Sequence, residues 1–354
     1  MSSTFMKNIK ITIFGASHSE LLGATIDPVA PGIKIDFDYI NKELSRRKGG
    51  QLSSSRREGD LVRVVSGEFN GFTTGAPLTF IIENKDIDSS KYEKMKATPR
   101  PSHADYANYV KSMGYNDYRG GGTTSGRLTA IFVTVGAFFK KILESKGIII
   151  KSHITKIGKM IDKDASFDLL DEDFPVSNEM KEEFLDYIKE VSLENDSLGG
   201  EIQIMAQNVD AGIGEPFFDS IESTVSSLMF SVPSVKGVSF GLGEGFATSL
   251  GSEVSDEFYY DKEKVKTKTN YNGGINGGIT NGMPIIVNVT VKPTPSIKRE
   301  FDTINLETKE NAKVNIDGRF DPCILLKMPP IVEAALAISI VDQYVGRYGY
   351  LWMK

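Results

Sequence analysis

Two long segments with apolar residues at helical spacing constrain the fold of this 354-residue chain. RLTAIFVTVGAFFKKILES spans 127–145, and PPIVEAALAISIVDQYVGR spans 329–347 with Pro at its start and Gly near its end. Both predict long buried helices, because a helix that is apolar on most sides must be covered by other elements. The strand patterns between them show no regular βαβ alternation. The sequence therefore predicts an α+β fold in one large domain, 1–354.

Shorter patterns predict the remaining elements. A helix is expected over 36–48, with Asp36 or Asp38 as its N-cap. Residues 219–241 predict a helix, a turn and a strand, and 160–197 form an acidic stretch that we expect to be a peripheral helical insertion with a solvated face. Strands are expected at 8–17, in a hairpin pair within 61–84, and at 202–209 and 283–296.

Composition excludes several classes of protein. The 41 basic and 47 acidic residues give a net charge of −6, which argues against nucleic-acid binding. No apolar run is long enough to predict a membrane span, and the N-terminus has no signal-peptide pattern. The single cysteine makes the cytoplasm the default location, and one Cys with three scattered His predicts no metal site.

Arginine is distributed unevenly. Eight of the eleven arginines fall between Arg46 and Arg127. Guanidinium groups bind carboxylates and phosphates in a bidentate manner, so the cluster predicts a pocket for an anionic small molecule. The alternative is a chance grouping of surface arginines.

Three glycine-rich loops suit close approach to a ligand. They are RGGGTTSGR at 119–127, GLGEGF at 241–246 and NGGINGGITNG at 272–282. None has the dinucleotide or P-loop spacing. The first adds hydroxyls and precedes a helix, as anion sites do, although ordinary turns would also explain glycines.

Two histidines stand in loops that could carry chemistry. His18 lies in GASHSE, and His103 lies in RPSHAD beside Arg100. Each could instead be a structural hydrogen-bonding residue, and His153 is expected at the surface. DGRFDPC, which contains Asp321, and KPTPS at 292–296 are turn-like segments that also suit a ligand site.

Taken together, eight motifs in one order resemble the chorismate synthase family. They are GASHSELLGATIDPVAPGI, RPSHADY, RGGGTTSGRLTA, DSLGGEI, VKGVSFGLG, NGGINGGITNG, VKPTPSI and GRFDPC. The resemblance implies a β-α-β sandwich and a homotetramer. It also implies a 1,4-anti elimination of phosphate from 5-enolpyruvylshikimate 3-phosphate to give chorismate, with reduced FMN as cofactor. Some members of the family reduce their own flavin with NADPH, and no nicotinamide motif is present here.

The resemblance also assigns roles to residues. His18 and His103 would act as acids, one toward the leaving phosphate and the other toward the flavin, and Asp321 would help to pass on the proton that the substrate loses. Nearby arginines favour the neutral form of both histidines, and the bound anion would favour protonation. Substrate binding would fall on Ser17, Arg47, Arg100, Arg127 and Arg319. FMN contacts would fall on Thr123, Thr124, Ser125, Pro233, Ser234, Gly277, Lys292, Pro293, Thr294, Pro295, Ser296 and Arg319.

Several positions depart from the family pattern. The usual Glu of the first motif is Ala16, and its last Gly is Ser19. Ser102 replaces Gly, Thr123 replaces Arg, and Phe320 replaces His. The arginine-rich loop at 46–58 is also about two residues short. The three residues ranked as chemical are retained, which favours an active enzyme over the alternative, a catalytically silent homologue that still binds flavin or a shikimate phosphate.

Overall fold

The computed structural model describes residues 3–49, 59–85, 92, 96–163, 167, 170–316 and 320–354. Within them lie six α-helices: α1 Phe37–Arg46, α2 Asp105–Lys111, α3 Thr129–Ser145, α4 Asn178–Leu193, α5 Ile221–Ser231 and α6 Pro329–Tyr348. The strands are β1 Thr4–Met6, β2 Lys10–Gly15, β3 Leu21–Asp27, β4 Val62–Ser66, β5 Glu68–Phe69, β6 Phe72–Thr73, β7 Leu78–Glu83, β8 Ile149–Ile157, β9 Met160–Ile161, β10 Gly200–Gln207, β11 Val235–Phe240, β12 Phe258–Asp261, β13 Lys264–Thr267, β14 Ile275–Asn276, β15 Ile279–Thr280, β16 Ile285–Val291, β17 Glu300–Asn305 and β18 Glu310–Asn315.

Two antiparallel five-stranded sheets enclose a layer of helices. The first sheet has the order β1-β2-β3-β7-β4, and the second has the order β11-β16-β10-β8-β9. Helix α3 packs on α6 and contacts β3 and β7, while α6 contacts β8 and β10 of the other sheet. The predicted α+β class is confirmed, and the layers form the β-α-β sandwich that the resemblance implied.

The two central helices approach each other closely. Every residue of α6 from Pro329 to Val345 is buried, as is most of α3. A Cβ added at Gly136 of α3 would lie 2.0 Å from the Cβ of Ala334 on α6. Real Cβ atoms do not come so close, so only glycine permits this helix spacing.

The shorter elements follow the predicted patterns. Asp36 is the N-cap of α1, because its side chain accepts a hydrogen bond from the Tyr39 N–H at 3.0 Å. Strands β4 and β7 pair directly, with Val64 opposite Phe80. In the acidic segment, α4 buries Phe184 and Ile188 and exposes most of its charged residues. That 160–197 is a peripheral insertion, and that 1–354 is one domain, stay predictions.

The expectation that His153 lies at the surface is wrong. His153 lies in β8 and is 4% exposed. Its Nε2 is 3.0 Å from Oδ2 of Asp162, which also accepts a hydrogen bond from the Ser177 N–H. The KSHITK segment is polar in sequence, but its strand runs inside a five-stranded sheet, where a paired imidazole can be buried.

A buried ionic cluster ties three helices and a strand together. Arg46 of α1 contacts Glu43 at 2.9 Å and Glu333 of α6 at 2.7 Å. Lys140 of α3 contacts the same two carboxylates at 2.9 and 2.6 Å. Ser152 of β8 donates a further hydrogen bond to Glu333. Two cations and two anions balance, which makes burial of the charges tolerable.

Candidate active site

A cavity of about 1170 Å³ gathers segments that are far apart in the sequence. It is lined by all but a few of the residues that the sequence analysis singled out. Those on the cavity wall are Arg47, Arg100, His103, Thr123, Thr124, Ser125, Arg127, Pro233, Ser234, Lys292, Thr294, Pro295, Ser296 and Asp321.

The wall of the cavity is positively charged although the whole chain is acidic. Among the residues that the structure describes, eight basic side chains line the cavity against three acidic ones. The basic residues are Lys7, Arg47, Lys48, Arg100, Arg127, Lys236, Lys292 and Lys327, and the acidic ones are Asp60, Asp105 and Asp321. A concave site with this excess attracts a small anion with several charges.

Two of the cavity arginines share one carboxylate. Arg127 Nη1 donates to Oδ1 of Asp60 at 2.5 Å, and Arg47 Nη1 lies 3.7 Å from Oδ2. Asp60 is 5% exposed and has a φ of 36°, a strained value for a residue with a side chain. Arg127 also donates to Asn84 at 3.0 Å. The carboxylate thus fixes where both guanidinium groups point.

The third cavity arginine is fixed within its own turn. Arg100 donates to both oxygens of Asp105, at 2.8 and 2.9 Å. Burial alone would raise the pKa of Asp105, but the hydrogen bonds and charge of Arg100 hold that pKa below its usual value. Asp105 therefore stays ionised and keeps Arg100 in one orientation.

The other arginines of the cluster lie in different surroundings. Arg46 belongs to the buried ionic cluster, although Arg47 next to it faces the cavity. Arg63 contacts Glu83, and Arg119 contacts Asp117. Arg56, Arg57 and Arg319 lie outside the described residues. The predicted anion pocket thus receives Arg47, Arg100 and Arg127 from the described part of the cluster.

His103 is held by two hydrogen bonds of different kinds. Its Nδ1 is 3.0 Å from the Pro101 carbonyl oxygen, which can only accept, so Nδ1 carries a hydrogen. Its Nε2 is 2.7 Å from Oγ of Ser296. Burial and the charge of Arg100 lower the pKa of His103. The ring is therefore neutral at neutral pH, with Nε2 as an acceptor.

Asp321 lies on the cavity wall with a cationic partner that the sequence analysis missed. Lys327 Nζ is 2.8 Å from Oδ1 and 2.9 Å from Oδ2 of Asp321. Lys327 belongs to no motif and lies six positions after Asp321, at the end of a 3₁₀ turn, Ile324–Lys327. Asp60 was also missed, because nothing in the sequence links it to arginines 13 and 67 positions away.

His18 and Ser17 lie one layer behind the cavity wall. Both are buried, and they are not among the side chains that line the cavity. Gly120, which does line it, has a φ of 59°, and a Cβ there would lie 2.6 Å from both the His18 ring and Ser17 Oγ. The Ser17 N–H donates to the Gly122 carbonyl at 3.1 Å. The glycine run of the first loop therefore lets Ser17 and His18 pack directly behind the cavity wall.

Two further predicted contacts lie off the described cavity wall. Gly277 is exposed in the turn between β14 and β15. Pro293 packs beside Gly199 rather than facing the cavity. The cavity of this single chain therefore does not include either residue.

The donor set of the cavity fits a flat, phosphorylated cofactor beside a small anion. One part of the wall is apolar, with Leu128, Phe132, Leu228 and Ile331. Another part offers the hydroxyls of 123–125 and the lysines Lys236 and Lys292. Thr294 Oγ1 is buried with no hydrogen-bond partner among the described residues. Pockets of about 300–1,000 Å³ hold one drug-sized ligand, so this volume can accept two small ones.

Comparisons with known proteins agree with the motif order. The family model described as chorismate synthase matches residues 9–345. A chorismate synthase of Pyrococcus abyssi is 44% identical over 344 residues, covering 96% of both chains. One of Thermococcus gammatolerans is 43% identical, covering 96% of this chain and 97% of its own.

A solved structure supports the same assignment. The crystal structure of a chorismate synthase matches with a TM-score of 0.73 and 28% identity, covering 96% of this chain and 92% of that chain. In the described residues, no helix is both long and apolar enough to cross a membrane. By sequence over nearly its whole length and by fold, the chain belongs to the chorismate synthase family.

Proposed function

We propose that the protein converts 5-enolpyruvylshikimate 3-phosphate to chorismate by 1,4-anti elimination of phosphate, with reduced FMN as cofactor. The observation that carries this proposal is the single cavity that Arg47, Arg100 and Arg127 share with His103 and Asp321. The proposed substrate bears two carboxylates and a phosphate, and the excess of basic side chains matches those charges.

The cavity residues would bind and orient this substrate. The guanidinium groups would neutralise charge on the leaving phosphate, which is a poor leaving group otherwise. His103, neutral before binding, would take up a proton when the anion enters, because negative charge favours imidazolium. Asp321 would accept a proton at its carboxylate. His18 would act as the second acid, reaching the site past Gly120, and Ser17 and Arg319 would assist in substrate binding.

The same cavity would hold FMN. The hydroxyls of Thr123, Thr124 and Ser125, the turn at Pro233 and Ser234, and the segment from Lys292 to Ser296 are the residues suited to it, with Arg319 and Gly277 as further contacts by resemblance. The reduced flavin would supply electron density to the reacting ring. The protein would position the reactants and exclude water.

The catalytically silent homologue is the weaker alternative. The argument for it is that Ala16, Thr123 and Phe320 depart from the family pattern. Yet the first motif is locally intact, because Ser19 Oγ accepts from the Ala16 N–H at 2.8 Å and donates to the Leu21 carbonyl at 2.7 Å. The relatives of about 40% identity that bear the enzyme's name also favour activity.

An anaerobic assay tests the proposal. The protein is mixed with reduced FMN and 5-enolpyruvylshikimate 3-phosphate, and phosphate and chorismate are measured together. Equal amounts of both products are expected. Tight binding of FMN or substrate without either product would support the silent homologue instead.

We also propose a homotetramer located in the cytoplasm, acting on a small molecule with no nucleic-acid or membrane partner. Light scattering during size-exclusion chromatography tests the assembly. A mass of four times 38.9 kDa is expected, and a stable monomer would contradict it.

A further inference from the structure

The hydroxyl of Ser296 contacts the imidazole of His103 at the cavity wall. Ser296 Oγ is 2.7 Å from His103 Nε2, and both residues line the cavity. Sequence resemblance placed Ser296 only among residues that contact the cofactor. Its hydrogen bond to the imidazole points to a second task.

Hydrogen-bond polarity fixes what each group does. Nδ1 of His103 donates to the Pro101 carbonyl, so in the neutral ring Nε2 is the acceptor and Ser296 donates to it. When the ring is protonated, Nε2 becomes a donor to Ser296 Oγ. The serine hydrogen must then point elsewhere, and the cavity is the open direction. The direction of this hydroxyl therefore follows the protonation state of His103.

The segment that carries Ser296 is held against the histidine loop. Lys292 Nζ donates to the Ser102 carbonyl at 2.8 Å. Ser197 Oγ donates to the Thr294 carbonyl at 2.7 Å from the other side. Thr303 and Leu306 also donate to carbonyls of the 97–99 segment. These contacts fix the distance between Ser296 and His103 before any ligand binds.

From this geometry we infer that Ser296 relays the proton of His103 to the ligand in the cavity. This rests on the proposed function, in which His103 is an acid. In the transfer, the Nε2–H bond of the imidazolium breaks and a new O–H bond forms at Ser296. At the same time the original Ser296 O–H bond breaks, and its proton passes to an anionic oxygen of the bound ligand. The ring ends neutral, and the new Ser296 O–H bond already points at Nε2, so Ser296 again donates to the neutral ring.

The charged groups around the ring are compatible with this direction of transfer. Burial, Arg100 and Lys292 favour the neutral ring, while the Pro101 carbonyl and Asp105 favour the charged one, and the balance lowers the pKa of His103. The ring therefore readily gives up the proton that it takes up when the anionic ligand binds. The Ser296 hydroxyl is uncharged and is both a donor and an acceptor, so it can accept a proton from one side while it donates one to the other.

Two measurements test the relay. The first is NMR of ligand-free protein labelled with ¹⁵N-histidine, which has three histidines to assign. In the neutral wild type, His103 should show hydrogen on Nδ1 and a hydrogen-bonded Nε2, and Ser296→Ala should shift Nε2 to an unbonded value. Hydrogen on Nε2 in the neutral ring, or no change in Ser296→Ala, would overturn the inference.

The second measurement is turnover in mixtures of H₂O and D₂O. A plot of wild-type kcat against the deuterium fraction of the solvent should be curved, because two protons move in the same step. Ser296→Ala should lower kcat at least about tenfold, within the range of proton-transfer catalysis, with a linear dependence and little change in KM. Ser296→Thr, which keeps the hydroxyl, should restore both rate and curvature.

Ser197→Ala is the matched control, because it loosens the same segment without touching His103. It should keep the curved dependence. If loosening of the 292–296 segment explained the effect, this control would behave like Ser296→Ala, and the relay would be rejected. An inactive wild type would contradict the proposed function, while the NMR result would still decide the hydrogen-bond geometry on which the relay depends.

Discussion

At the scale of single residues, the pairing of Lys327 with Asp321 gives the sharpest expectation. Both carboxylate oxygens accept from one ammonium group, which fixes the carboxylate on the cavity wall. Lys327→Met should lower kcat by about 10- to 100-fold, because a hydrogen bond to a charged group is worth roughly 1.5–3 kcal/mol. Lys327→Arg should recover most of the loss. Steady-state kinetics of both variants would show this, and equal rates for Lys327→Met and wild type would contradict it.

Residue-level reasoning from sequence succeeded where a motif carried the side chain. The cavity contains His103, Asp321 and the hydroxyl segments at the positions that the motifs predicted. The reasoning from sequence failed for Asp60 and His153. Their partners come from other parts of the chain, and such a partner leaves no local pattern in the sequence. The clustering of arginines alone did not distinguish Arg46 from Arg47, and only the family resemblance assigned Arg47 to the substrate. Consecutive residues at a helix end point about 100° apart, and only packing decides which of the two faces the core.

At the scale of elements, the contact between α3 and α6 depends on one glycine. A Cβ at position 136 would lie 2.0 Å from that of Ala334. Gly136→Ala should therefore destabilise the protein by about 1–3 kcal/mol, the usual cost of overpacking a core, although alanine is the better helix former. Urea unfolding measures the change.

Gly251→Ala is the control for that substitution. A Cβ at position 251 meets nothing within 4 Å. This variant should unfold at the wild-type urea concentration. If Gly136→Ala were as stable as Gly251→Ala, the helix spacing would not depend on glycine.

The same two helices were also the elements best predicted from sequence. Their apolar pattern is long, and burial on several sides makes it consistent along the helix. The glycine loops were located equally well from sequence. In the first of them, however, the positive φ values at 120–122 and the contact with His18 depend on the first sheet, which brings the first motif alongside the loop.

At the scale of the whole molecule, the buried ionic cluster links folding to pH. Burial alone would raise the pKa of Glu333, but Lys140 and Arg46 lower it to about 2. Because the folded pKa lies below the unfolded value of about 4.3, this carboxylate stabilises the fold above that value. The contribution is lost as pH falls from about 4.3 toward 2.

Glu333→Gln should remove this dependence. It leaves Lys140 and Arg46 with one carboxylate between them, so we expect a loss of about 3–5 kcal/mol in unfolding free energy near pH 7. The difference in unfolding free energy between the variant and wild type should become smaller as pH falls toward 3. Urea unfolding at several pH values measures it. A gap that stays constant with pH would show that the cluster does not act through the charge of Glu333.

In the proposed function, one cavity joins the arginines, His103 and Asp321 around a multiply charged substrate. The most direct test is phosphate release in a single anaerobic turnover with reduced FMN and 5-enolpyruvylshikimate 3-phosphate, comparing wild type with His103→Ala. Wild type should release one phosphate per chain, and His103→Ala should do so about 10²–10⁴-fold more slowly with nearly unchanged substrate affinity. Equal rates in the two proteins would contradict the account.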